Sequence, residues 1–421
     1  MMPIIRSKLA TYVERTRKLI FSPVYLERSR ERPEDFTRKR KMHFPNLIMF
    51  MVSRKKNSTQ NALENFFEKL GEKVFMTQQA FSEARYKVKV SALTTLFYLS
   101  VQIAYEGYYE TYLGYRILAI DGTKLALPDI ELLGKIYGTM GADSSSPTAQ
   151  GSVCYDILNK VVVDALIEPL TTDERTLAMM HVSNLEKSRR FKKELIIMDR
   201  GYPSFELIHA LHEAGVTFVM RVKKGFNNDI DAQKETDGRV TLRKKGYPDI
   251  EIRVIKVELP TGETEVLISN LFSKGMGIAA FKKLYFLRWP VETKIDEVKN
   301  KLEIENFTGY SKKSIEQDFY ASMYLANIAA AACWEAQAQA NEARRDKNNK
   351  YEYKINVNHA IGVLKDRFIY ALSLDADICA DEIETIINLL AKRVCPVKPN
   401  RSFPRKTPRK AKFHSNFKSN A

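Results

Sequence analysis

The stretch that decides the fold begins with Glu194-Leu-Ile-Ile-Met198, continues through Asp199-Arg-Gly-Tyr-Pro203, and ends with Val216-Thr-Phe-Val-Met-Arg-Val222. The first run predicts a buried strand, and the last run predicts another. Between them, Ser204 is a suitable N-cap for a helix that ends near Ala214. A strand, a helix and a strand in this order indicate an α/β sheet in which Asp199 directly follows a buried strand.

Upstream of this stretch, three further strands are predicted in succession. Ile117-Leu-Ala-Ile120 leads into Asp121-Gly122. After a loop, Ser152–Leu158 and Val161–Ile167 flank Asn159-Lys160, which is typical of a hairpin. A helix should then begin at Thr171 with Glu174 as its capping-box partner. The order β-β-β-α-β-α-β predicts a mixed five-stranded α/β sheet whose first three strands are antiparallel, with Asp121 and Asp199 at carboxyl ends of strands, where such sheets place their sites.

Downstream, the alternation of strands and helices stops. Residues 225–272 contain three strand-like runs and predict an all-β insertion: Gly238–Arg243, Ile250–Val257 and Glu265–Leu271. Helical patterns resume near Ile278 and include long helices over 312–343 and about 357–393.

The positive charge of the chain is concentrated at its ends. The formal net charge is +16, residues 1–100 contain 20 Lys or Arg against 9 Asp or Glu, and residues 396–421 contain 8 basic residues and no acidic ones. Two basic ends around a nearly neutral middle favour a nucleic-acid enzyme, with a ribosome-associated basic protein as an alternative. The basic groups of Phe36–Lys41 and Arg54–Lys56 could face DNA phosphates or form a solvated basic face.

The cysteines and the apolar runs bear on compartment. Cys154, Cys333, Cys379 and Cys395 lie far apart, which indicates neither a zinc site nor a disulfide framework. The start lacks a signal-peptide pattern, and the longest apolar run, near Ala92–Ala104, is short. We therefore expect a soluble cytoplasmic protein without a membrane span.

A second informative stretch is Tyr285-Phe-Leu-Arg-Trp-Pro-Val-Glu-Thr-Lys-Ile-Asp-Glu-Val-Lys299. At about 100° per residue, four of its side chains fall within an arc of about 60°: Tyr285, Arg288, Glu292 and Lys299. This face is either a metal-binding carboxylate among phosphate-binding groups or a solvated stripe of ordinary i,i+4 pairs. Pro290 lacks an N–H, so we expect a kink or a fresh helix start near Trp289.

Metal-dependent phosphodiester chemistry needs oxygen ligands for two divalent cations roughly 3.5–4 Å apart. Asp121, Asp199 and Glu292, from two strands and one helix, would be sufficient because Mg²⁺ keeps several waters. The alternative is structural, since Asp121-Gly122 is also a common turn and Asp199 could simply end a strand. Five nearby carboxylates compete for the assignment: Asp129, Asp156, Asp164, Asp296 and Glu297.

These residues together resemble the DDE transposases of bacterial insertion sequences, in the group (IS-four type) with a Tyr-x2-Arg-x3-Glu-x6-Lys signature. Here the signature has its full spacing from Tyr285 to Lys299. Further blocks carry the resemblance, over about residues 30–330: Phe36-Thr-Arg, Gln79–Arg85, Asp121–Asp129, Asp199–Tyr202, Arg288–Glu292, Glu305–Tyr310 and Gln317-Asp318. Pro290 departs from the polar residue expected there.

The resemblance implies an RNase H-like catalytic domain interrupted by a β-rich insertion before the glutamate helix. It also implies cut-and-paste transposition with two Mg²⁺ or Mn²⁺ ions, through a DNA hairpin, by two protomers in a synaptic complex on the chromosome of a bacterium or archaeon. The metal ligands would be Asp121, Asp199 and Glu292. Contacts to DNA phosphates would come from Tyr285, Arg288 and Lys299, and Trp289 is a weaker candidate for base stacking beside a buried structural role.

The resulting organisation has six parts: 1–110, helical basic DNA-binding region; 111–224, first part of the catalytic core; 225–272, β-rich insertion; 273–311, second part of the core with the glutamate helix; 312–395, C-terminal helical region; 396–421, disordered basic tail. Two alternatives to an active transposase stay open. One is a catalytically inactive, transposase-derived DNA-binding regulator, and the other is a simple metal-dependent nuclease that cuts DNA without joining it.

Overall fold

A computed structural model of the chain describes residues 7–398 except for 39, 55–57, 74, 142–145, 189–192, 260–261 and 274. Its central sheet contains β1 (Arg116–Ala126), β2 (Thr139–Met140), β3 (Ser146–Asp156), β4 (Val161–Pro169), β5 (Glu194–Met198), β6 (Thr217–Val222), β7 (Asp237–Leu242), β8 (Ile250–Glu258) and β9 (Thr264–Ser269). The order across the sheet is β4-β3-β1-β5-β6-β9-β8-β7, and the short β2 pairs with the start of β3.

The five predicted strands are neighbours in this sheet. β1, β3 and β4 are antiparallel, and β1, β5 and β6 are parallel. The predicted hairpin joins β3 to β4, and its Lys160 has a φ of 58°, a left-handed backbone that tight turns require. The prediction of a mixed α/β sheet with three antiparallel strands first is therefore confirmed.

The sheet is larger than the five strands predicted. β7, β8 and β9 pair in antiparallel fashion, and β9 pairs with β6 through Val219↔Ser269 to Val222↔Val266. The strands predicted in residues 225–272 are present, but they continue the central sheet beyond β6. The prediction that this segment is all-β was wrong, because a short helix spans Asn228–Ala232. The edge of β6 is thereby covered, which satisfies backbone groups that an edge strand would expose.

Fifteen helices lie within the described residues: α1 (Lys8–Ile20), α2 (Pro23–Ser29), α3 (Phe44–Ser53), α4 (Thr59–Lys69), α5 (Gln78–Tyr86), α6 (Val90–Ala104), α7 (Glu131–Tyr137), α8 (Glu174–Ser188), α9 (Phe205–Glu213), α10 (Asn228–Ala232), α11 (Ile278–Phe286), α12 (Trp289–Asn300), α13 (Lys312–Glu342), α14 (Val357–Ser373) and α15 (Ala376–Lys392). None of them is long and apolar enough to cross a bilayer.

Two apolar cores cover the two faces of the sheet. Ile117 and Ala119 of β1 belong to a core shared with α1, α3–α6 and α11–α15, whereas Leu118 and Ile120 belong to a second core shared with α8 and α9. This alternation follows from the two-residue period of a strand. Helices therefore approach the middle of the sheet from both sides, α12 on one face and α8 on the other.

The N-terminal helices contribute structural groups as well as charge. α3 is almost entirely buried, as its apolar sequence predicts. Arg54, expected as a surface cation, instead donates to Asp318 (3.3 Å) and to the backbone oxygen of Asn306 (2.9 Å). That prediction was wrong because a carboxylate distant in sequence packs beside it. Lys39, Lys55 and Lys56 lie outside the described residues.

The C-terminal region adds a ribbon that the sequence did not indicate. β10 (Glu352–Ile355) pairs in antiparallel fashion with β11 (Val394–Val397). Pro396, where the tail was predicted to begin, is therefore part of a strand. Residues 399–421, the rest of the predicted tail, lie outside the described ones.

Candidate active site

Asp121 lies on β1 at the level where the neighbouring strand β5 ends. β1 and β5 are paired from Arg116↔Glu194 to Ala119↔Ile197, and β5 ends at Met198. Continuing this register places Asp121 level with Asp199 on the neighbouring strand. The prediction that Asp121 lies at the end of its strand was wrong, because β3 pairs with β1 as far as Ala126. The two aspartates nevertheless meet at the edge where β5 stops.

The Asp121 carboxylate is largely buried beside other acids. Burial raises the pKa of Asp121 to about 6. The Gly122 N–H, which donates to Oδ1 at 2.9 Å, and the Arg288 cation oppose this rise. The charges of Glu292 and Glu174 add to it. Acidic groups from β1, α12 and α8 therefore share one electrostatic environment.

Asp199 begins the turn that leaves β5. Its Oδ1 accepts from the backbone N–H of Arg200 at 2.5 Å, and its carbonyl accepts from the N–H of Tyr202 at 3.1 Å. Tyr202 is 2% exposed, and its hydroxyl has no hydrogen-bond partner among the described residues. Burial, and then the charges of Asp121, Glu174 and Asp199, raise the pKa of the Tyr202 phenol. An unpaired hydroxyl therefore lies beside these acids.

The glutamate helix starts afresh at Trp289, which confirms the prediction made from Pro290. α11 ends at Phe286, and Pro290 occupies the first turn of α12, where a missing N–H costs little. Across the break, the N–H of Arg288 donates to Tyr285 (3.0 Å) and that of Val291 donates to Arg288 (3.1 Å). These i,i+3 bonds keep Arg288 in a helical conformation, so the residues on both sides still share a face.

That face brings three of the four signature residues to the aspartates. Arg288 Nη2 donates to Glu292 Oε1 at 2.7 Å, and the charge of Asp199 acts on both Arg288 and Tyr285. Burial raises the pKa of the Tyr285 phenol to about 12. Its hydroxyl is buried and has no partner within the described chain. The arrangement presents a phenol, a guanidinium and a carboxylate to Asp121 and Asp199.

Lys299 and Trp289 occupy different surroundings. Lys299 Nζ donates to the carbonyl of Lys124 (2.7 Å) and pairs with Glu305 (3.3 Å), beyond Asp121 along β1. The expectation that Trp289 is more suited to a buried structural role is wrong, since it is 59% exposed. As the first residue of α12 it lies away from the face that Val291 and Val298 bury.

The site has the donors that a hard divalent cation prefers, namely carboxylate oxygens. The unpaired phenols of Tyr202 and Tyr285 leave unsatisfied polar atoms around them, so the residues fit such an ion. As the side chains are placed, no three His, Cys, Asp or Glu residues of the described ranges converge at liganding distance. One reason is that Glu292 Oε1 is bound to Arg288, which holds this carboxylate on the guanidinium.

The competing carboxylates have other partners. Asp156 accepts from Tyr105 Oη (2.6 Å), and Asp164 bonds to His181 Nδ1 (2.7 Å), both fully buried. Glu297 pairs with Lys294 at 2.7 Å, and Asp296 accepts from Asn300 at 2.5 Å. Asp129 is exposed and follows the end of β1.

Sequence reasoning missed Glu174 and Tyr202. Glu174 was expected to complete a capping box with Thr171. Instead α8 begins at Glu174 itself, and Asp173 caps it by accepting from the N–H groups of Arg175 (2.9 Å) and Thr176 (3.1 Å). The sequence could have shown this, because Asp173 is itself a suitable N-cap and a helix start needs only one N-cap residue. Glu174 is then not needed for capping.

Comparison with known proteins bears on the family. No curated protein matches the sequence. Among solved structures, the chain is similar to a piggyBac transposase synaptic complex with hairpin DNA, at 12% identity and a TM-score of 0.47, over 89% of this chain and 85% of that chain. A family model described as "Transposase DDE domain" matches residues 112–328, just over half of the chain. This match includes the three candidate carboxylates, and the chain belongs to the DDE transposases.

Proposed function

We propose that this DDE transposase belongs to the group with the Tyr-Arg-Glu-Lys signature and moves an insertion sequence by cut-and-paste transposition through a DNA hairpin. Asp121, Asp199 and Glu292 are the proposed ligands of two Mg²⁺ or Mn²⁺ ions. The observation that carries the proposal is the level position of Asp121 and Asp199 on adjacent strands, with the Glu292 helix over them. When bound, such ions activate the attacking oxygen and stabilise the leaving oxygen.

The proposed role of the aspartates follows from their backbone positions. Asp121 is fixed by the pairing of β1 with β3, and Asp199 is fixed by the turn that closes on Tyr202. A rigid backbone holds carboxylate oxygens in place without an entropic cost at the moment of reaction. Glu292 would be the ligand that moves, exchanging Arg288 for an ion, because its carboxylate now accepts from Arg288 Nη2.

That exchange gives Arg288 its proposed role. Once Glu292 turns away, a planar guanidinium that is 8% exposed lacks its carboxylate and can take a DNA phosphate in its place. On the same face, the Tyr285 hydroxyl has no partner among the described residues. Both groups are thus suited to hold the phosphate that lies beside the reacting one.

Fewer observations support DNA contacts by Trp289 and Lys299. Trp289 and Phe286 are both largely exposed, so the Trp289 indole is available to stack on a base turned out of the duplex. Lys299 keeps the signature spacing, yet it reaches a phosphate only by leaving Lys124 or Glu305. We propose that both contact DNA within a complex of two protomers, which sizing of the protein–DNA complex can measure.

The test is Mg²⁺-dependent cleavage of DNA that carries the inverted repeats flanking the reading frame. Asp121→Asn, Asp199→Asn and Glu292→Gln should each lower the cleavage rate by about 10³-fold or more, as loss of a residue that acts within a catalytic unit does. Binding of the same DNA, measured by gel shift, should remain. The matched control is Asp296→Asn, an exposed carboxylate one turn from Glu292, which should cleave at the rate of the unaltered protein.

Three outcomes would contradict parts of the proposal. Full cleavage by one variant excludes that residue as a ligand. Cut ends without a joined product indicate a nuclease, and binding without any cut by the unaltered chain indicates a DNA-binding regulator. A hairpin should appear as a product that migrates at double length under denaturing conditions.

A further inference from the structure

Glu174 places a fourth carboxylate at the candidate site, from the opposite face of the sheet. A Cβ built on Gly122 would lie 2.8 Å from Glu174 Oε1, and one built on Gly201 would lie 3.7 Å from Oε2. Gly122 follows Asp121, and Gly201 is two residues after Asp199. The Glu174 carboxylate therefore lies between the backbone segments that carry the two aspartates.

The close approach depends on Gly122. A contact of 2.8 Å is shorter than a real Cβ permits, so any side chain at residue 122 would displace the carboxylate. Three acids at one point repel one another unless a cation or a proton offsets their charge. Within the described part of the chain no Lys, Arg or His forms an ion pair with Glu174, and the start of α8 is capped by Asp173 and not by Glu174.

A second observation points to a ligand. The Tyr202 hydroxyl is fully enclosed, lacks a hydrogen-bond partner in the described part of the chain, and lies within the field of Asp121, Glu174 and Asp199. A buried hydroxyl without a partner costs about 1–3 kcal/mol. A water bound to a divalent ion would be a partner for this hydroxyl, and the ion itself would offset the charge of the acids.

We propose that Glu174 is a fourth oxygen ligand of the metal centre, opposite Glu292, and that Tyr202 bonds to a water in the same coordination sphere. This inference rests on the function proposed above for Asp121, Asp199 and Glu292. The two glutamates reach the aspartates from opposite faces of the sheet, Glu292 on α12 and Glu174 on α8. Four carboxylates can hold two divalent ions with fewer waters than three can.

The experiment measures Mn²⁺ binding to the full chain without DNA, from the loss of the electron paramagnetic resonance signal of free Mn²⁺. Glu174→Gln should weaken binding by about tenfold or more, the size of effect seen when a group that supports a metal site is removed. Glu186→Gln, an exposed acid on the same helix, is the matched control and should bind as the unaltered chain does. Glu174→Asp keeps the charge and should fall between them.

The design separates two failures. If Asp121→Asn and Asp199→Asn weaken Mn²⁺ binding while Glu174→Gln does not, Glu174 is not a ligand and the three-carboxylate site stands. If none of these variants changes binding, the metal centre itself is wrong, and Glu174 with it. Circular dichroism of each variant establishes that it is folded, and a merely structural role for Glu174 would leave Mn²⁺ affinity unchanged.

Discussion

Two clusters of charged groups in this protein differ in how completely their charges and hydrogen-bonding groups are paired. The Asp318 cluster joins Arg54 and Arg85 of the N-terminal region to Thr308 and Asp318. Asp318 accepts from Arg85 Nη2 (2.8 Å), and from the N–H and Oγ1 of Thr308 (both 2.8 Å). Although burial opposes ionisation, Arg85 and Arg54 hold the pKa of Asp318 below its usual value.

The carboxylate site, composed of Asp121, Asp199 and Glu292 with Arg288, is the opposite case. The pKa of Asp121 is raised to about 6, and the hydroxyls of Tyr202 and Tyr285 lack partners within the described residues. A buried cluster whose every group is paired contributes to structure, whereas one that leaves charge and hydroxyls uncompensated indicates a place for a ligand. Three predictions test this contrast.

The largest expected effect is on stability at the Asp318 cluster. Asp318→Ala leaves two buried guanidinium groups without a counter-ion, so the free energy of unfolding should fall by about 3–5 kcal/mol. Urea unfolding followed by circular dichroism measures it. Glu342→Gln, at the end of the helix that carries Asp318, removes an exposed pair with Arg345 and should change stability by less than about 0.5 kcal/mol. Equal effects of the two variants would contradict the structural role of the cluster.

At Asp121, removing the carboxylate should increase the free energy of unfolding instead of lowering it. Because its pKa rises from 3.8 in the unfolded chain to about 6, folding takes up a proton between these values, and the charged form destabilises the fold above them. In EDTA at pH 7.5, Asp121→Asn should be more stable than the unaltered chain by about 1–3 kcal/mol. The difference should shrink toward zero as the pH falls to about 4, as urea unfolding at each pH would record.

A matched aspartate provides the control for this pH dependence. Asp237 is held by Arg253 Nε and Nη2 at 2.7 and 2.6 Å, and this ion pair lowers its pKa. The stabilisation of the fold by this ion pair is present above pH 4 and is lost as the pH falls. Asp237→Asn should therefore destabilise the protein at pH 7.5. If Asp121→Asn destabilises it likewise, Asp121 is a satisfied structural acid and the contrast fails.

The smallest effect distinguishes two buried phenols. Tyr105 donates to Asp156 at 2.6 Å, whereas Tyr202 has no partner in the described structure. Tyr105→Phe should cost about 1–3 kcal/mol because it leaves a buried carboxylate short of a donor. Tyr202→Phe should be neutral or stabilising by up to about 1 kcal/mol in EDTA. A comparable loss for both, measured by urea unfolding, would show that Tyr202 is paired.

The sequence predicts much of this fold because strand and helix periods are local properties. The runs at Ile117 and Glu194 became neighbouring strands, and Pro290 marked the start of α12 as expected. What it could not show depends on residues far apart in the chain. Arg54 is buried by Asp318, and the strands of 225–272 join β6, through contacts that no local pattern records.

The same limit applies to the site. The aspartates were identified from their places after apolar runs, and the structure brings them level. Glu174 was assigned to capping, since a local rule explains an acid at that spacing equally well. Its approach to Gly122 depends on α8 packing over β1, which only the folded chain shows.

The part of β1 that extends beyond its pairing with β5 has a consequence for biosynthesis. Beyond Ala119 this strand has no parallel neighbour in the described structure, and its free edge is held by Lys299 at the carbonyl of Lys124 and by Glu305 at the N–H of Ala126. Residues that complete the strand of Asp121 therefore emerge from the ribosome about 180 residues after it. A nascent chain that ends before Glu305 has both aspartates but an unfinished site, so cutting activity should arise only once most of the polypeptide is made.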